Sequence, residues 1–153
     1  MFKPLKTTIH ALTAGALFLG LMNPHLGHAS NFLSPGKAFP VAVKLSHGTL
    51  RVRFSIAPGY ALYRKRMAIR LADMKNIKLG KALWPTPIAV QSPFAGKELM
   101  YRGKVSIRIP FVCSAGQSHQ VKLHIRFQGC ADAGLCYPPV DKKIRLSVAT
   151  QSC

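Results

Sequence analysis

A chain of 153 residues with 22 Lys plus Arg and only Asp73, Glu98, Asp132 and Asp141 on the acidic side carries a formal charge of +18. Carboxylates this scarce argue against paired-acid hydrolysis, and neither a phosphate-cradling glycine motif nor a Ser-His-Asp set is present. The basic residues are scattered and accompany no helix-turn-helix, zinc-finger or RNP-like pattern, so no nucleic acid partner is expected and the charge by itself names none.

Residues 1–29 read as an address. Lys3 and Lys6 precede the apolar run Ala11 to Met22, and Gly27-His28-Ala29 places small residues at a cleavage site, the layout of a secretory signal. The run falls short of the about 20 apolar residues a spanning helix needs, and no later stretch approaches that length. Residues 30–153 are therefore expected to be an exported domain without a transmembrane segment. Export lets disulfides persist, and Cys113, Cys130, Cys136 and Cys153 all remain after signal removal.

From Phe39 onward the dominant period is two. Leu50-Arg51-Val52-Arg53-Phe54-Ser55-Ile56 alternates apolar and polar residues, as a strand with one buried face does. The same alternation returns at Val105 to Ile109, Val121 to Phe127 and Ile144 to Val148, with weaker candidates at Phe39 to Leu45 and Ala61 to Leu71. Turn signals separate them at Ser46-His47-Gly48, Ala57-Pro58-Gly59, Arg102-Gly103 and Ser114-Ala115-Gly116. Six or seven short strands with no helical period predict an all-β, immunoglobulin-like antiparallel β-sandwich. Pro110 lacks an N–H and predicts an edge or a bulge in its strand. Trp84 to Gly96, with three prolines and Phe94 near its tip, is the longest irregular segment.

The chemistry concentrates in Phe127 to Pro139, FQGCADAGLCYPP. Its two cysteines flank a corner between strands, and facing positions about 4.5 to 5.5 Å apart suit a disulfide. A loop this short gains only about 2 kcal/mol from closure, less than a long-range bridge would give. Zinc is a weaker rival, because His119 and His124 lack the paired spacing of structural ligands and read as surface residues. No metal or other cofactor is expected.

At these residues the chain resembles the N-terminal periplasmic domain of the DsbD family, the transmembrane thiol:disulfide interchange proteins. In that family a Cys-Ala-Asp-Ala-Gly-x-Cys-Tyr-Pro-Pro run holds the redox-active pair. Ala57 to Arg66, APGYALYRKR, is similar to the family strand beside the cysteines. Ser92 to Lys104, SPFAGKELMYRGK, is similar to the loop whose Phe caps the disulfide. The resemblance covers most of Phe32 to Val148. It implies a periplasmic immunoglobulin-like domain in which Cys130 and Cys136 exchange electrons, Phe94 is the cap, and Tyr60, Tyr63 and Tyr137 line the pocket.

It also implies partners: a thioredoxin-like or membrane-embedded electron donor, and periplasmic disulfide isomerase or cytochrome c maturation proteins as acceptors. Departures from the family are Ser92, Pro93 and Ala95 around the cap, and Ala61 in place of a tyrosine. With neither a membrane nor a thioredoxin-like domain before Cys153, the electrons are expected from a separate protein. Two arrangements fit the remaining cysteines: a Cys113–Cys153 bridge closing a loop of about 41 residues and worth about 4 kcal/mol, or a free Cys153 at a frayed terminus. The competing reading of the whole chain is a secreted basic β-sandwich that binds through its charged face and keeps Cys130–Cys136 as a staple.

Overall fold

The computed structural model describes residues 32–46, 48–72, 77–92, 96–113 and 119–148. Alternation in the sequence becomes a sheet face at β2, Thr49–Ser55, where Leu50, Val52 and Phe54 are fully buried and Arg51, Arg53 and Ser55 are exposed. It pairs antiparallel with β1, Val41–Ser46, on one side and with β8, Lys104–Cys113, on the other, so Val52 faces both Val43 and Ile107. A short β5, Ile77–Leu79, completes this sheet in the order β1-β2-β8-β5.

The opposing sheet has the order β11-β9-β4, built from β4, Ala68–Leu71, β9, His119–Phe127, and β11, Val140–Val148. Val121, Leu123, Ile125 and Phe127 of β9 enter the same core as the buried faces of β2 and β8. Phe54 meets Phe127 edge to face with ring centroids 5.3 Å apart, a contact across the two sheets that aromatic quadrupoles favour. This is the expected immunoglobulin-like sandwich, and its inner faces are those the alternation marked.

A third sheet, β10-β3-β7-β6, carries the cysteines. It consists of β3, Tyr60–Tyr63, β6, Ile88–Ser92, β7, Gly96–Tyr101, and β10, Gly129–Ala131.

Four features differ from the sequence reading. The segment 61–71 is two strands in different sheets, separated by a 3-10 turn at Arg64–Arg66. Five residues of the irregular stretch 84–96 form β6, which pairs with β7 from Ile88↔Met100 to Ser92↔Gly96; its flanking prolines hid this pairing from the sequence. The last strand begins at Val140 rather than Ile144. A one-turn helix, Pro35–Ala38, starts on a proline, whose fixed φ suits the first helical position, and buries Ala38.

Pro110 lies inside β8, at the point where its neighbour is bulged. Leu79 faces Phe111 while Leu83 faces Arg108, so Gly80 to Ala82 oppose only Ile109 and Pro110. The missing N–H falls on that bulged side, where Pro110 O still accepts from Gly80 N–H at 2.8 Å.

The outer face of the first sheet is cationic. Lys44 faces Arg51 and Arg51 faces Arg108, a row of three exposed positive charges across three strands.

Candidate functional site

β3 is buried at all four positions because both of its faces are covered. Side chains alternate along a strand, so Tyr60 and Leu62 enter the main core, while Ala61 and Tyr63 join Met100, Val90 and Cys130 in a second cluster. The second face floors a concave pocket of about 220 Å³, rimmed by Gln91, Arg102, Asp132 and Gly134 and containing both Cys130 and Cys136.

Cys130 is held by β10, where it faces Ala61 of β3. The preceding residue must be glycine. A Cβ on Gly129 would sit 2.5 Å from Ala61 O and 2.6 Å from Phe39 Cζ, inside hard contact. Cys136 returns beside Cys130, and the two are disulfide-bonded with Cα atoms 4.0 Å apart. Cys136 is exposed and Cys130 half-buried.

Backbone bonds shape the loop between them. Ala131 N–H donates to Leu135 O at 2.7 Å, Gly134 N–H to Ala131 O at 3.0 Å and Asp132 N–H to Gly59 O at 2.8 Å. Gly134 adopts φ 99, which a side chain would resist.

Tyr63 closes the floor. Its hydroxyl lies 3.4 Å from Cys130 Sγ, and because a disulfide sulfur has no hydrogen the hydroxyl is the donor. The Arg66 guanidinium carbon stands 4.4 Å from the centre of the Tyr63 ring and Arg66 Nη1 donates to Gln128 Oε1 at 2.9 Å, so the ring is fixed from its open side.

Tyr60 and Tyr137, read as pocket residues, lie instead in the main core, the outcome strand alternation dictates for Tyr60. They hold the chain's entry: Leu33 N–H donates to the Tyr60 hydroxyl at 2.9 Å, and the Tyr137 hydroxyl donates to Leu33 O. Burial pushes the Tyr137 phenol above its usual value, and the neighbouring Tyr60 adds to the shift. Phe94 lies outside the described residues.

Two residues that the sequence reading did not single out complete the rim. Arg102 donates through both terminal nitrogens to Asp132, Nη1 to Oδ2 at 2.8 Å and Nη2 to Oδ1 at 2.7 Å. That bidentate bond holds the Asp132 carboxyl below the usual carboxylate range and raises Arg102. The signal was present: one of only four acidic residues stands between the two cysteines. Cys113, at the end of β8, is also disulfide-bonded; its candidate partner Cys153 lies outside the described residues.

Residues 29–148 match the family model described as thiol:disulfide interchange protein DsbD, N-terminal. The Neisseria meningitidis serogroup A thiol:disulfide interchange protein DsbD is 31% identical over 119 residues, 78% of this chain and 19% of the relative. Its Escherichia coli K12 counterpart is 31% identical over 144 residues, 92% of this chain and 24% of the relative. The chain thus matches only 19% to 24% of the length of these curated relatives.

Among solved structures, the reduced N-terminal domain of Neisseria meningitidis DsbD superposes with TM-score 0.67 at 30% identity, covering 78% of this chain and 93% of that one. The same domain in complex with the PilB N-terminal domain gives TM-score 0.63 at 29% identity, covering 76% and 88%. A family match over most of the sequence, a relative 31% identical over 78% of this chain and a solved domain of the same fold agree: the chain belongs to the family of DsbD N-terminal domains.

Proposed function

We propose that this protein performs thiol:disulfide interchange in the periplasm, relaying electrons through Cys130 and Cys136. The carrying observation is the Cys130–Cys136 disulfide itself, bonded across the pocket with Cys136 exposed and Cys130 half-buried under Tyr63. A reductant's thiolate attacks Cys136 Sγ, the Cys130–Cys136 bond breaks, and Cys130 leaves as a thiolate that the Tyr63 hydroxyl faces. The reductant's second thiol then displaces Cys136, leaving a dithiol here and a disulfide on the donor. In the forward direction the Cys136 thiolate attacks an acceptor disulfide and Cys130 resolves the mixed disulfide.

The donor in this reading is a thioredoxin-like or membrane-embedded protein, and the acceptors are periplasmic disulfide isomerases or cytochrome c maturation proteins. The complex of a related domain with the PilB N-terminal domain supports a protein as the partner of this domain. Residues 1–29 serve as the secretory signal and residues 30–153 as the working domain. No helix among the described residues is long and apolar enough to cross a membrane. Phe94 is assigned the role of cap in this reading, which is supported by Val90 and Gln91 of β6 and Met100 of β7 lining the pocket that holds the pair.

The test is the reduction potential of the pair, read by differential alkylation and mass spectrometry of the Cys130 and Cys136 peptides after equilibration in glutathione or dithiothreitol buffers. A value between about −180 and −270 mV is expected, the range of exchanging pairs. A value below about −300 mV would make the bond a staple and favour the basic binding module instead.

A further inference from the structure

We infer that Arg102 and Asp132 form a clamp that positions the loop between the cysteines, keeping the two thiols of the reduced form within bonding reach and so lowering the pair's reduction potential. The inference rests on the exchange reading above and adds to it two positioning residues and a direction of effect.

Asp132 sits two residues after Cys130, inside the loop that the disulfide closes. Its carboxylate is held by both arms of Arg102, and its own N–H donates to Gly59 O at 2.8 Å. Arg102 is itself seated on the scaffold. It occupies the turn between β7 and β8, next to Gly103 at φ 64, whose carbonyl accepts from Ile56 N–H at 2.8 Å. Its Nη1 also reaches Tyr60 O at 3.4 Å, on the strand that pairs with β10. One guanidinium therefore links the cysteine loop, the β7–β8 turn and β3.

The clamp matters most when the S–S bond is gone. Reduction adds two electrons and two protons to the disulfide and leaves two thiols, after which only non-covalent ties hold the loop closed. Each tie that survives raises the local concentration of one thiol at the other and favours re-formation of the bond. A fixed planar fork meeting a carboxylate with two bonds constrains direction as well as distance, which a lysine at the same place would not. The exposure of the pair, 36% for Arg102 and 52% for Asp132, leaves its gross contribution to folding small, so its visible effect belongs to the loop.

The experiment compares the reduction potentials of the full-length protein with Arg102→Gln, Asp132→Asn, the double variant and Arg102→Lys, each checked for an unchanged unfolding midpoint. Either single substitution should move the thiol–disulfide equilibrium about fivefold toward the dithiol, about 20 mV upward by the two-electron conversion. The double variant should add nothing further, and Arg102→Lys should recover part of the shift. The wild-type shift relative to Asp132→Asn should shrink once the pH is low enough to protonate Asp132.

Opposite shifts for the two single substitutions would overturn the clamp, because they would mean that the net charge beside the thiolates, not the loop's position, sets the potential. Potentials equal to the wild-type value in both single variants and the double variant would overturn it too. The wild-type value decides the exchange reading separately, so failure of one is not failure of the other.

Discussion

The Tyr63 hydroxyl points at Cys130, 3.4 Å from its sulfur, while Cys136, the other half of the same bond, is exposed. The disulfide is thus asymmetric, with one sulfur beside a donor and the other open to a partner. When Cys136 is attacked, charge develops on Cys130, where the hydroxyl stands ready to bond it. A hydrogen bond to an ionised sulfur favours the thiolate. Tyr63→Phe keeps the ring under Arg66 and deletes only the donor. Reduction of the pair by dithiothreitol, followed by stopped flow at neutral pH, should slow about fivefold to tenfold, the loss of a hydrogen bond worth about 1 kcal/mol to the leaving sulfur. An unchanged rate would mean the hydroxyl is only a packing feature.

Much of this site was legible because the Cys-Ala-Asp-Ala-Gly-Leu-Cys run is itself a structure: two strand residues, a tight turn and a return. The sandwich was legible for a similar reason, since Leu50, Val52 and Phe54 alternate with charged or polar neighbours. What stayed hidden depends on partners far away in sequence. Tyr60 and Tyr63 stand three residues apart on one strand and so face opposite ways, yet which face would be core and which pocket was decided by β7 and β10. Arg102 meets Asp132 across 30 residues of chain, a pairing no local pattern reports. β6 was lost among prolines because its ladder is formed by β7, not by its own propensity.

Gly129 is where β10 can approach β3. A methyl group there would fall 2.5 Å from a backbone oxygen of Ala61 and 2.6 Å from the buried ring of Phe39, and neither can yield without moving the sheet. Gly129→Ala should cost about 1 to 3 kcal/mol, the usual penalty of overpacking. Thermal unfolding should register this as a midpoint lower by roughly 5 to 10 °C. Because Cys130 is the next residue, the altered strand should also shift the pair's reduction potential, which a destabilisation remote from β10 would leave alone.

Tyr137 connects stability to alkaline pH. Its folded value is raised, first by burial and then by Tyr60, so the neutral phenol is favoured in the native protein. The sign follows: the contribution is fully present below the unfolded value near 10, and is lost as pH rises through the higher folded value. Denaturant midpoints measured from pH 8 to 11 should therefore fall in the alkaline range for the wild type. Tyr137→Phe should start lower by about 1 kcal/mol, for the lost bond to Leu33 O, and fall less steeply. Parallel curves would assign the alkaline loss to other groups.

Arg51 is the middle of the row Lys44, Arg51, Arg108 and faces a like charge on both sides. Like charges directly opposite across a ladder destabilise a sheet by a few tenths of a kcal/mol per pair, so the arrangement works against folding. Arg51→Thr removes two such pairs and supplies a β-branched side chain that suits a central strand. At low ionic strength the substitution should raise the unfolding free energy by about 0.5 kcal/mol. Near 1 M salt, where the Debye length is about 3 Å, most of that gain should vanish while any propensity gain remains. A gain independent of salt would show that backbone preference, rather than relief of repulsion, separates the two proteins, and a loss would show that the arginine stem contributes packing on the outer face that outweighs both.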